Sequence, residues 1–106
     1  MTLYGNTPSD LVSNSGGSEQ LLIASNYAVC STVECKEVFV QGAISNTHPI
    51  TMSFSSAVSS SKGIAIAIPL ISNWNFSYIR VPVSNLNLLH FWGGHDNDGV
   101  ILEYRR

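Results

Sequence analysis

Charge is what this sequence has least of. Asp, Glu, Lys and Arg together make up 11% of its 106 residues, less than half the share of about 25% usual in globular proteins. The five cations, Lys36, Lys62, Arg80, Arg105 and Arg106, are scattered along the chain, and seven acids leave a formal charge of −2. Binding to a phosphate backbone draws its affinity from clustered Lys and Arg that displace counterions, so nucleic acid is not an expected partner. Long apolar runs are missing too. None approaches the roughly 20 residues of a membrane-crossing helix, and the opening Met1-Thr2-Leu3-Tyr4-Gly5-Asn6 lacks the basic and apolar regions of a secretory signal. The chain reads as soluble and unprocessed, with no membrane partner.

Cysteine is nearly absent: Cys30 and Cys35 are the only two. A zinc site usually needs four ligands from Cys and His, which this pair does not supply. If Ser31-Thr32-Val33-Glu34 turns a hairpin, the thiols face each other and a disulfide is the alternative reading. The reading taken is two buried thiols that behave as small apolar residues. Helical periodicity is also lacking, since no stretch sustains a period of 3.6 over three turns.

What remains is a series of short β-prone runs. Leu21-Leu22-Ile23-Ala24 and Tyr27-Ala28-Val29-Cys30 are broken by Ser25-Asn26, and Cys35-Lys36-Glu37-Val38-Phe39-Val40-Gln41 ends at Gly42. Ile50-Thr51-Met52-Ser53-Phe54 alternates strictly, predicting a half-buried strand with Ile50, Met52 and Phe54 on its inner face. In Gly63-Ile64-Ala65-Ile66-Ala67-Ile68 three isoleucines alternate with Ala65 and Ala67, giving a small-residue outer face suited to contact with another sheet or chain. Pro69 closes that run, and Pro82 within Tyr78-Ile79-Arg80-Val81-Pro82-Val83 marks an edge strand or a strand end. Leu86-Asn87-Leu88-Leu89-His90-Phe91-Trp92 then leads through Gly93-Gly94-His95-Asp96-Asn97-Asp98-Gly99 into Val100-Ile101-Leu102-Glu103-Tyr104.

Seven or eight such strands within one domain's length predict an all-β fold: a single small antiparallel β-sandwich, jelly-roll or Ig-like, over residues 20–106. Residues 1–19 are rich in Gly, Ser and Asn and offer only Leu3, Tyr4, Leu11 and Val12 for burial. They are read as an extended N-terminal arm, either a free tail or an element that docks on a neighbour through those four residues.

Catalytic and metal chemistry find little support. Asp96-Asn97-Asp98-Gly99 resembles part of a calcium loop, but Gly94 and Arg105 stand where the helix-loop-helix pattern needs ligands. A hairpin turn is the reading taken there, with calcium, or a metal held by His90, His95 and an Asp, as the alternatives. No G-x-S-x-G elbow singles out a serine to join His48, His90 or His95. Glu34, Glu37 and Glu103 show no apolar pocket that would set up paired carboxylates. The expectation is no enzyme and no cofactor. Trp74, between Asn73 and Asn75, is a candidate for sugar stacking or for an interface, and Trp92 for the latter.

Residues 35–106 resemble small β-sandwich proteins of bacteriophage virions. The likeness runs through Cys35-Lys36-Glu37-Val38-Phe39-Val40-Gln41-Gly42, Asn46-Thr47-His48-Pro49-Ile50 and Ser61-Lys62-Gly63-Ile64. It continues in Ile79-Arg80-Val81-Pro82-Val83-Ser84-Asn85-Leu86-Asn87-Leu88-Leu89, the Gly93-Gly94 turn and Asp98-Gly99-Val100-Ile101-Leu102-Glu103-Tyr104-Arg105. The resemblance implies a head decoration (cement) protein, or else a tail or fibre component. Its partners would be the major capsid protein or other virion proteins, and its copies would form a homo-oligomer, with a trimer favoured. It also implies a place in the virion, assembled in the bacterial host cytoplasm. Few charges and a neutral polar surface suit dense packing of copies. The expected partner-binding residues are Leu3, Tyr4, Leu11, Val12, Ala65, Ala67, Trp74 and Trp92.

Overall fold

In Glu37–Gly42 the residues Val38, Val40 and Gly42 are buried while Glu37, Phe39 and Gln41 are half-buried, the period-2 alternation of a strand with one face on a core. A computed structural model describes residues 16–66 and 78–106. Eight strands lie among these described residues: β1 (Gly17–Leu22), β2 (Tyr27–Val29), β3 (Glu37–Gly42), β4 (Ile50–Ser53), β5 (Ile64–Ile66), β6 (Ile79–Val81), β7 (His90–Trp92) and β8 (Gly99–Arg105).

Strand pairing is nested along the chain. β1 pairs with β8, β2 with β7, β3 with β6 and β4 with β5, all antiparallel. Nesting of this kind describes one long two-stranded ribbon with the β4–β5 hairpin at its tip. Rolled onto itself, the ribbon brings β3 against β8 and β4 against β7. Two four-stranded sheets result, in the orders β1-β8-β3-β6 and β2-β7-β4-β5. Eight strands so arranged form the double-sheet jelly roll. The Ig-like alternative is set aside, because its ABED and CFG sheets connect differently.

The core fills the space between the sheets. Val38, Val40, Val100 and Leu102 face inward from one sheet and Ile50, Met52, Ile66 and Phe91 from the other, with Leu86 and Leu89 beside them. Each such side chain contributes about 1.5–3 kcal/mol relative to exposure.

Corners of the ribbon are knitted by backbone hydrogen bonds. At one, Ile23 N–H donates to the Asp98 carbonyl and Asn97 N–H to the Ile23 carbonyl, while Ser25, Asn26 and Asn97 take positive φ. At another, Leu86 N–H donates to the Val33 carbonyl, Cys35 N–H to the Ser84 carbonyl and Val33 N–H to Asn85 Oδ1.

Several sequence expectations change. The arm does not run to residue 19, because Gly17, Ser18 and Glu19 pair with Tyr104, Glu103 and Leu102. Ser31–Glu34 is no hairpin but a crossing between sheets, and both cysteines are free thiols. Residues 93–98 likewise join β7 to β8 in opposite sheets rather than turning a hairpin. Residues 86–88 form a 3-10 turn before β7 instead of extending it. Phe54 lies beyond the end of β4 and is 61% exposed, so only Ile50 and Met52 of that trio reach the core. Pro82 does follow an edge strand, β6. Pro69 lies outside the described residues.

Candidate interaction surfaces

Ala65 and Trp92, singled out separately by sequence, meet on the outer face of the β2-β7-β4-β5 sheet. The register aligns Tyr27, Trp92, Thr51 and Ala65 in one row across its four strands. Val29, His90 and Ser53 form the next row, and the Tyr27 hydroxyl is hydrogen-bonded to His90 Nδ1 at 2.5 Å. Trp92 is half-buried and Ala65 is exposed. Ile64, 51% exposed, pairs with the inward-facing Met52 and so lies on the other side of the edge strand β5 from Ala65. None of the four strands carries an Asp, Glu, Lys or Arg.

The opposite sheet differs in kind. Its strands hold Glu19, Glu37, Arg80, Glu103 and Arg105. Glu37 accepts from Arg80 Nε and from Arg105 Nη1 at 3.2 Å, and these two guanidinium groups hold its carboxyl below the ordinary value. Lys36 N–H donates to the Arg105 carbonyl, and the Arg106 guanidinium sits 5.8 Å from the Tyr104 ring centre. Lys36, Arg80, Arg105 and Arg106, scattered in sequence, therefore gather at one end of this sheet.

The His and Asp cluster read as a turn or metal site is divided among structural tasks. Asp98 is 4% exposed and its carboxylate accepts from Thr47 N–H, Thr47 Oγ1 and His48 N–H. Asp96 Oδ1 accepts from Ser25 N–H, His95 stacks on His48 at 3.9 Å, and His90 lies on the outer face in the row next to that of Tyr27, to whose hydroxyl it is hydrogen-bonded. No three His, Cys, Asp or Glu side chains among the described residues are placed to hold a metal ion. Burial raises the Cys30 thiol pKa, with the nearby Glu19 charge adding to it, and burial raises that of Cys35. Cys35 Sγ–H donates to the Val83 carbonyl at 3.3 Å.

Leu3, Tyr4, Leu11, Val12, Ala67 and Trp74 lie outside the described residues. Tyr27, Val29 and Thr51 share the uncharged face and were missed. The signal available for them was weak, a lack of charge in two short runs that only the register unites. Comparison with known proteins finds no match: no family model, no curated protein and no solved structure is similar to this chain.

Proposed function

We propose that this chain is a non-enzymatic structural protein of a bacteriophage virion, a head decoration protein that cements the shell. Its uncharged face, centred on Tyr27, Trp92 and Ala65, would seat on the major capsid protein or on neighbouring copies, with a trimer the favoured arrangement. One observation carries the reading: the contrast between a sheet whose strands hold no charge and an opposite sheet that holds Glu19, Glu37, Arg80, Glu103 and Arg105. Interface centres are depleted of charge and enriched in aromatic residues, as this face is. A solvated outer face is normally the polar one of an antiparallel sheet. The jelly roll serves viral capsid and lectin domains alike, so the fold permits the role and the surface argues for it.

An image reconstruction of the intact particle tests this directly. Density for the chain on the head, with the β2-β7-β4-β5 sheet turned towards the shell or towards a sister copy, is the expected result. Density in the tail or fibre would reassign the chain within the virion. Absence from the particle would overturn the proposal.

A further inference from the structure

The charged sheet holds a feature that an assembly face on the other sheet leaves unused. Phe39, Gln41, Tyr78, Ile101 and Glu103 line an open groove of about 390 Å³ on its outer surface, within the range of small-molecule clefts. Register places Phe39 between Glu103 on β8 and Arg80 on β6, and Gln41 opposite Ile101. Tyr78, 63% exposed, meets Phe39 edge-to-face at 5.6 Å and 77°. Two aromatic rings thus meet edge-to-face in a groove whose lining also carries one amide and one carboxylate.

We infer that this groove binds a neutral saccharide. The C–H face of a pyranose ring is apolar and flat, and it stacks on an aromatic side chain while its hydroxyl edge seeks donors and acceptors at the side. Gln41 supplies both kinds and Glu103 supplies acceptors. Neither side chain is hydrogen-bonded or ion-paired within the described residues, whereas Arg80 and Arg105 are engaged by Glu37.

Charge decides the class of ligand. Glu103 is the one charged side chain among the described residues that line the groove and repels an anionic sugar or a phosphate there. Arg80 and Arg105 lie outside the lining and point their guanidinium groups to the shared Glu37 carboxylate. A protein partner fits less well, because a carboxylate directly across from the central aromatic is what interface centres lack. The inference does not depend on the virion role, since the groove lies on the sheet opposite the uncharged face.

Saturation-transfer NMR on the full chain, with neutral hexasaccharides of glucose, xylose, mannose and galactose as probes and an oligogalacturonate as the acidic arm, tests the inference. At least one neutral oligosaccharide is expected to bind at about 10 mM or below. Tyr78→Ala and Glu103→Ala are each expected to weaken it by about tenfold or more, with an unchanged melting temperature because both residues are exposed. Ala65→Asp on the other sheet should leave it unchanged. Binding of the acidic oligosaccharide alone, no binding by any neutral probe, or binding that survives both groove substitutions would overturn the inference.

Discussion

Asn46 and Gly99 exchange two hydrogen bonds, Asn46 Nδ2 donating to the Gly99 carbonyl at 2.8 Å and Gly99 N–H donating to Asn46 Oδ1 at 2.7 Å. The amide side chain thereby acts as one more rung beyond Gly42 and Val100, where the β3–β8 ladder ends. Gly99 fits because a Cβ there would lie 2.3 Å from the Leu21 carbonyl oxygen. Replacing Asn46 by Ala leaves the Gly99 N–H buried without its acceptor. A loss of about 1–3 kcal/mol is expected, read as a lower urea midpoint at unchanged slope.

Phe91 and Phe54 give opposite expectations for the same residue type. Phe91 is fully buried on a central strand, so Phe91→Ala should cost about 3–5 kcal/mol. Phe54 is exposed, and Phe54→Ser should leave thermal stability within about 0.5 kcal/mol of the parent. Calorimetry on the two variants separates these outcomes.

Those two phenylalanines also show where the sequence could be read. Strict alternation located β4 because it buries one face, but it carried one residue too far and drew in Phe54, which follows the strand, whereas β3 lies in a β-prone run that Gly42 closes. Hydrophobic pattern says which face is inward and is silent on which strand lies alongside. The ribbon's nesting therefore rests on pairings as distant as Gly17 with Tyr104, which no local window contains. Asp96-Asn97-Asp98-Gly99 read as a hairpin because a corner between sheets calls for the same positive φ, here at Asn97, that a tight turn does. Of the candidate site, Ala65 and Trp92 were legible one by one. Their meeting in a row with Tyr27 and Thr51 depended on register.

Glu37 makes stability depend on acid. Hydrogen bonds from Arg80 and then Arg105 hold its carboxyl below the ordinary value of 4.5, so the folded protein takes up this proton less readily than the unfolded chain. The stabilisation is full above the unfolded value and is lost as pH falls through the folded one. The difference in urea midpoint between the parent and Glu37→Gln should be constant from about pH 6 to 8 and should shrink below about pH 4.5. Both arginines are more than half exposed, so about 1 M NaCl should shrink it as well.

Cys30 and Cys35 should titrate as two free thiols in the unfolded chain under non-reducing conditions. In the native protein both should react with iodoacetamide more slowly than in urea, because burial disfavours the thiolate. Cys30, the more buried of the two, should be the slower. Mass spectrometry after timed labelling reads both rates, and a mass two hydrogen atoms short before labelling would indicate the disulfide that the structure argues against.

Ala65→Asp tests the uncharged face with the least disturbance to the fold. The side chain is exposed on β5, an edge strand, so a carboxylate there remains hydrated in the free protein and the melting temperature should hold to within a few degrees. Seated against another subunit, the same carboxylate would be desolvated without a partner, at a cost of several kcal/mol. Occupancy on particles, or the oligomeric state in solution, should then fall by about a hundredfold or more in apparent affinity. Ser18→Asp, an equal charge on the exposed edge strand of the other sheet, should leave both unchanged. If the two variants behave alike, the absence of charge from β2, β4, β5 and β7 reflects composition alone and the face is not where this protein assembles.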